Sequence, residues 1–287
     1  MTPPDRHPRK TGNADTTEET TLHLEHGGLH VRQDGPRDAP VLVLIHGSAA
    51  SSRSWDALVP LLTELHRVVR VDLPGHGRSA EPVGGDYAMP EQGRRIGVAL
   101  DRLGIEHAVV VGHSSGGYAA TALAEQRPDL VTAFALINTG PHMEAFIGPG
   151  TGAIDPAQWP PTDEQIRRFA STAFHPGYQI PQVLVDELRG MTYGALAAAT
   201  LAATAYLGER PLPARLRDLG KPLQVIFGDQ DRRWRPSSAA DYLVVPGADV
   251  ALLPGAGHTP ILEAPSRTAA LLLPFAAQHT AQVPGAT

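Results

Sequence analysis

Short apolar runs recur along the chain at 41–45 (VLVLI), 68–71 (VVRV), 108–111 (AVVV), 131–137 (VTAFALI), 223–227 (LQVIF) and 250–253 (VALL). Each is short for a helix and rich in β-branched or aliphatic residues, which predicts strands buried on both faces, as in a parallel sheet. Between them lie stretches with helical spacing, at 90–103, 115–125 and a closing 261–278. Ser54 is expected to cap a further helix that places Trp55, Leu58, Leu61 and Leu62 on one face. Two alternating segments, 21–25 and 29–33, flank Gly27-Gly28 and predict an opening hairpin. Strands that alternate with helices imply an α/β fold with a doubly wound, mostly parallel sheet.

The alternation stops after residue 139 and resumes at 214. Residues 140–213 hold no buried-strand pattern, only Pro/Gly-rich loops and helical spacing near 164–173, 182–190 and 196–207. They are expected to form an inserted helical cap over a core made of residues 20–139 and 214–282. Residues 1–19 are polar, Thr-rich and unpatterned, and are expected to form a disordered tail.

Composition narrows the class. A chain of 287 residues suits one large α/β domain with a modest insertion. The net charge of −6, with no basic run, argues against a nucleic-acid partner. The absence of cysteine excludes disulfides, thiolate catalysis and Cys-ligated metals. No glycine fingerprint for a dinucleotide occurs, and neither a metal nor an organic cofactor is expected. The N-terminus has no apolar signal region, and no segment reaches 18 uninterrupted apolar residues. The expectation is a soluble, cytoplasmic protein that acts on a small molecule without a membrane partner; its oligomeric state is not predicted.

The candidate chemistry starts at Gly112-His113-Ser114-Ser115-Gly116, between the strand at 108–111 and the helix that follows. G-x-S-x-G in that setting is the pattern of a nucleophile elbow, a turn so tight that side chains two residues either side of the serine would collide. A serine hydroxyl becomes a nucleophile only when an imidazole takes its proton and an acid orients that imidazole. Gly228-Asp229-Gln230-Asp231, after the strand at 223–227, offers two acids. His258 follows the last strand in Gly255-Ala256-Gly257-His258, which favours it over His46, His76, His113, His142 and His175. Both stations stand at C-terminal strand ends, where open α/β sheets collect their sites.

Five stretches in order, LVLIHGS, VDLPGHGRS, VVVGHSSGG, VIFGDQD and LPGAGHTPILEAP, make the chain resemble the α/β-hydrolase superfamily, in its serine branch with a helical cap. The resemblance implies Ser114 as nucleophile, Asp231 rather than Asp229 as acid, and His258 as base. It also implies an oxyanion hole formed by the backbone N–H groups of Ser48 and Ser115. Asn138 stands where some members carry the acid, and an amide cannot stabilise an imidazolium, which supports Asp231. Dehalogenases and epoxide hydrolases of this fold place Asp at the elbow, where this chain has Ser114. The expected activity is cleavage of a carboxylic ester, thioester or lactone through an acyl-enzyme on Ser114. Two alternatives share the same stations: a cofactor-free perhydrolase or acyltransferase, and a ligand receptor with little turnover.

Two features bear on the substrate. Residues 140–213 contain seven aromatics (Phe146, Trp159, Phe169, Phe174, Tyr178, Tyr193 and Tyr206), some of which are expected to line an apolar acyl pocket. The run Asp231-Arg232-Arg233-Trp234-Arg235 sets three arginines beside the candidate acid, where they either recognise an anionic group or form a solvated loop.

Overall fold

The computed structural model describes residues 17–149 and 155–280. Among them a single sheet carries β1 (Glu18–Leu24), β2 (Gly27–Asp34), β3 (Val41–Ile45), β4 (Arg67–Val71), β5 (Ala108–His113), β6 (Val131–Ile137), β7 (Leu223–Gly228) and β8 (Asp249–Leu253). The spatial order is β1-β2-β4-β3-β5-β6-β7-β8. Only the β1–β2 and β2–β4 pairings are antiparallel; the rest of the sheet is parallel. This is the doubly wound α/β architecture that the strand–helix alternation predicts.

The two-residue period of each strand divides its side chains between two cores. Val43, Val69, Val110 and Phe134 lie on one face, with Ile96 and Leu100 of α2 (Met89–Arg102) and Leu123 of α3 (Gly116–Gln126). Leu42, Leu44, Val109, Val111 and Ile226 lie on the other, with Trp55, Leu58, Leu62, Leu272 and Phe275. The register carries this across the sheet, since Val43 pairs with both Val69 and Val110, and Val110 with Phe134. Each fully buried Val or Leu side chain stabilises the fold by about 1.5–3 kcal/mol, which makes these central rows the rigid base for whatever stands at the strand ends.

Three elements depart from the sequence expectation. Ser54 does not cap a helix: Ser51 caps a 3₁₀ turn over Ser52–Trp55, and Ser54 Oγ donates to Ser51 O at 2.7 Å. The α-helix there, α1 (Val59–Leu62), is one turn long and leaves Leu61 exposed. The closing helix is two helices, α8 (Pro260–Glu263) and α9 (Pro265–His279), because Pro265 has no N–H and Ala264 before it leaves helical geometry at φ −148°, ψ 53°. Strand β1 starts at Glu18, so the last two positions of the expected tail belong to the sheet; residues 1–16 lie outside the described residues.

Between β6 and β7 the chain forms α4 (Asp163–Ala170), α5 (Gln182–Gly190), α6 (Tyr193–Glu209) and α7 (Leu212–Leu219), and no strand among the described residues. Helix α7 crosses the boundary expected at 213/214. Thr162 caps α4 in a reciprocal capping box with Gln165. Ile166, Val185 and Leu188 form a small core of their own, as do Met191, Ala195, Leu196 and Ala199 with Tyr87. None of the helices described is long and apolar enough to cross a membrane.

Candidate active site

Strand β5 delivers Ser114 to a turn with φ +52°, a left-handed conformation that a serine adopts only when its surroundings impose it. They do so here by close approach. A Cβ at Gly112 would stand 2.5 Å from Gly117 Cα, and one at Gly116 only 2.2 Å from Ile45 O. The turn is pinned further by Ser114 N–H donating to Ile137 O at 2.9 Å and by Thr139 Oγ1–H donating to Ser114 O at 3.0 Å. Ser114 Oγ is thereby held at the N-terminal end of α3, where the helix dipole favours developing negative charge.

Strands β7 and β8 lead into the other two residues. His258 Nε2 lies 3.0 Å from Ser114 Oγ, and His258 Nδ1 lies 2.8 Å from Asp231 Oδ2. Both His258 and Asp231 are buried. Burial pushes the Asp231 carboxyl up, but His258, the Asn138 amide and the Arg233 N–H outweigh it and hold the group below the ordinary aspartate value. Its oxygens are filled: Oδ2 also accepts from Asn138 Nδ2 at 2.7 Å, and Oδ1 accepts from Arg233 N–H at 2.7 Å and Trp234 N–H at 3.1 Å. Asp229 faces elsewhere and closes its turn by accepting from Gly255 N–H at 2.7 Å.

Asn138, Glu263 and His113, none of them expected from the sequence to take this part, hold these groups in place. Asn138, at φ +46°, donates to Asp231 and to Gly257 O (3.2 Å) while its Oδ1 accepts from Gly228 N–H (3.2 Å). The Glu263 carboxylate accepts the N–H groups of Gly257 (2.9 Å), Thr259 (2.8 Å) and His175 (2.7 Å), which clamps the His258 loop from both sides. A carboxylate five residues after His258, at the last position of α8, is the sequence signal for that clamp. His113 packs its ring 5.2 Å from that of His258, and its Nε2–H donates to His258 O at 2.8 Å. Burial, reinforced by the neighbouring His258, pushes the His113 imidazole down to about 3.

The other candidate histidines serve loops. His46 accepts from Leu73 N–H at 2.9 Å, and His76 donates through Nδ1 to Pro74 O at 3.0 Å. His142 meets Asp241 at 3.0 Å, and His175 Nδ1–H donates to Pro176 O at 2.9 Å.

The two expected oxyanion donors differ in state. Ser115 N–H opens α3 and has no protein acceptor among the described residues. Ser48 N–H instead donates to Ser115 Oγ at 2.8 Å, and the two serine hydroxyls lie 2.9 Å apart. A carbonyl oxygen arriving at Ser114 therefore has to displace the Ser115 hydroxyl to reach Ser48 N–H.

Two cavities flank the serine, of about 280 and 90 Å³. Phe146, Leu196 and Leu207 help to line the larger one, and Phe174, Leu188 and Leu262 the smaller. Both share Ser48, Ala49, Ser114, Phe169 and Arg233. Three of the seven aromatics, Phe146, Phe169 and Phe174, thus reach one of these two cavities. By contrast, Trp159 packs on Tyr193, Tyr178 stacks on Phe174, and Tyr206 donates to Glu125. Of the three arginines, Arg232 and Arg235 are exposed and bond to backbone carbonyls, so only Arg233 turns inward.

Residues 42–271 match the family described as "Alpha/beta hydrolase family". The chain is 28% identical over 260 residues to pimeloyl-[acyl-carrier protein] methyl ester esterase of Nitrosomonas europaea, covering 83% of this chain and 96% of that protein. In structure it resembles the carboxylesterase CesB of Bacillus subtilis, with a TM-score of 0.73, 23% identity and 91% of each chain covered. It also resembles the N-acyl homoserine lactonase AidH complexed with N-butanoyl homoserine, with a TM-score of 0.76, 20% identity, and 94% and 100% of the chains covered. At these identities the two structural likenesses speak for the fold.

Proposed function

The chain belongs to the alpha/beta hydrolase family, and from that premise we propose that it is a serine hydrolase that cleaves a carboxylic ester, thioester or lactone of a small, partly hydrophobic molecule. The observation that carries the reading is the continuous line of contacts Ser114 Oγ–His258 Nε2 (3.0 Å) and His258 Nδ1–Asp231 Oδ2 (2.8 Å). In this reading His258 takes the Ser114 proton as Oγ attacks the carbonyl carbon, and Asp231, ionised at neutral pH, fixes the tautomer and stabilises the imidazolium. The oxyanion is received by Ser115 N–H, and by Ser48 N–H once the Ser115 hydroxyl yields. His258 then returns the proton to the leaving alcohol or thiol. A water deprotonated by the same imidazole releases the acid from Ser114.

Residues 140–213 act in this proposal as the cap, and two observations support it. Phe169 of α4 and Leu196 of α6 form cavity walls, and Thr259 Oγ1–H, beside the candidate base, donates to Ala173 O at 2.7 Å. The esterase and carboxylesterase names of the relatives above agree with ester chemistry. The test is a series of p-nitrophenyl esters from acetate to octanoate. The wild type should hydrolyse them, and Ser114→Ala and His258→Ala should each lower kcat by about 10⁴-fold or more. Equal turnover by the wild type and Ser114→Ala would overturn the proposal.

A further inference from the structure

We propose that Arg233 selects substrates that carry a carboxylate, so that this site prefers the half-ester of a dicarboxylic acid, or an ester whose alcohol part is acidic, over a neutral ester. The inference rests on the serine-hydrolase reading above and names the substrate class for the same site.

Position comes first. Arg233 is one of the five residues common to both cavities, and Ser114 is another. A group bound by its side chain therefore shares a cavity with Ser114, whichever of the two the acyl chain enters. The other shared residues, Ser48, Ala49 and Phe169, carry no charge, and among the described residues neither cavity is lined by a second arginine or a lysine.

Pairing comes second. The buried guanidinium of Arg70 meets Asp34 at 2.8 Å, and that of Arg95 meets Glu91 at 2.9 Å. Arg233 has no carboxylate partner among the described residues. Its Nε–H reaches Thr172 Oγ1 and its Nη2–H reaches Phe169 O, both at the long distance of 3.4 Å, and its guanidinium carbon stands 5.4 Å from the Phe169 ring centre. The Asp231 carboxylate is not available to it. Both Asp231 oxygens are occupied by His258, Asn138 and two backbone N–H groups.

Chemistry comes third. Burial lowers the proton affinity of this guanidinium, with Asp231 only partly offsetting the loss, yet an arginine stays charged at neutral pH. A half-buried, weakly bonded cation gains most from an anion that accepts two parallel N–H bonds, and a carboxylate has that geometry. A structural strut between the β7 loop and α4 would need only the bonds to Phe169 and Thr172. The open ends of the fork are unexplained by that role.

Three butyrate-length esters test the idea: p-nitrophenyl butyrate, mono-p-nitrophenyl glutarate (carboxylate on the acyl side) and 4-carboxyphenyl butyrate (carboxylate on the alcohol side). For wild type and Arg233→Met, the ratio of KM for an anionic ester to KM for the neutral ester should rise by about 10- to 100-fold in the variant, for whichever anionic ester the wild type prefers. Arg233→Lys should recover part of that ratio. A ratio unchanged in Arg233→Met, or a wild type that favours the neutral ester over both anionic ones, would overturn the proposal. Calorimetric titration with glutarate and with 4-hydroxybenzoate needs no turnover and separates the two claims. Arg233-dependent binding without hydrolysis of any ester would sustain the carboxylate site and refute the hydrolase reading. Hydrolysis together with equal binding of these anions by wild type and variant would do the reverse.

Discussion

Acidification from pH 7 to pH 5 should cost this fold about 4 kcal/mol through two histidines alone. His76 and His113 are buried, and burial, reinforced in each case by a second imidazole, pushes both down to about 3. The geometry gives the reason. The His76 ring stands 5.2 Å from His46, donates through Nδ1 to Pro74 O, and leaves Nε2 buried without a partner. His113 donates through Nε2 to His258 O and leaves Nδ1 equally alone. A second proton on either ring would enter a site with no acceptor. In the unfolded chain each takes up that proton near pH 6.5, whereas in the fold both remain neutral at pH 5. The unfolded state therefore binds more protons between pH 6.5 and about 3. The stabilisation is complete above pH 6.5 and is lost as the pH falls below it, by about 1.4 kcal/mol per unit per histidine, or about 2 kcal/mol each by pH 5. His30, His46 and His66 are also lowered, chiefly by burial, and add in the same direction. Against a typical total of about 5–15 kcal/mol the effect is large. Urea titrations at pH 7, 6 and 5 should show the midpoint falling with the slope m unchanged. In His76→Asn, whose amide can still donate to Pro74 O, the loss between pH 7 and pH 5 should shrink by about 2 kcal/mol. A midpoint independent of pH, or an identical pH dependence in His76→Asn, would show that the buried neutral imidazoles do not carry this effect.

Two further substitutions probe the site. Ser115→Ala removes the hydroxyl that occupies Ser48 N–H, and kcat on p-nitrophenyl esters should rise by about 2- to 10-fold, the worth of one hydrogen bond no longer broken on the way to the oxyanion; a loss of kcat would show that the hydroxyl itself serves the reaction. Asn138→Ala takes the amide from Asp231 Oδ2 and leaves an alanine at φ +46°, so it should lower stability by about 1–3 kcal/mol and reduce kcat more than it changes KM, with unaltered urea and kinetic behaviour as the contrary result.

What could be read from the chain was local in sequence. The β5 run, the glycines around Ser114 and the strands ahead of Asp231 and His258 all act within a few residues, so pattern and spacing carry them. The closing helix reads as one because its apolar period runs on through Ala264 and Pro265, while the missing N–H of Pro265 breaks it into two. The helix expected after Ser54 begins only at Val59, because Ser51 caps a 3₁₀ turn over Ser52–Trp55 that takes up the residues before it. Other features depend on partners distant in the chain. Ser48 meets Ser115 across 67 residues, and Asn138 meets Asp231 across 93. No spacing rule reports such pairs. Nor does a loop have a period from which to learn that Arg233 turns inward while Arg232 and Arg235 stay in solvent.

The central claim is that Ser114 is activated by His258. The most direct test is intact-protein mass spectrometry after exposure to a fluorophosphonate, followed by peptide mapping. Activation by His258 leads to one adduct per chain, on Ser114, absent from Ser114→Ala and formed far more slowly by His258→Ala. A folded wild-type protein that remains unlabelled, or carries the adduct on another residue, would contradict it.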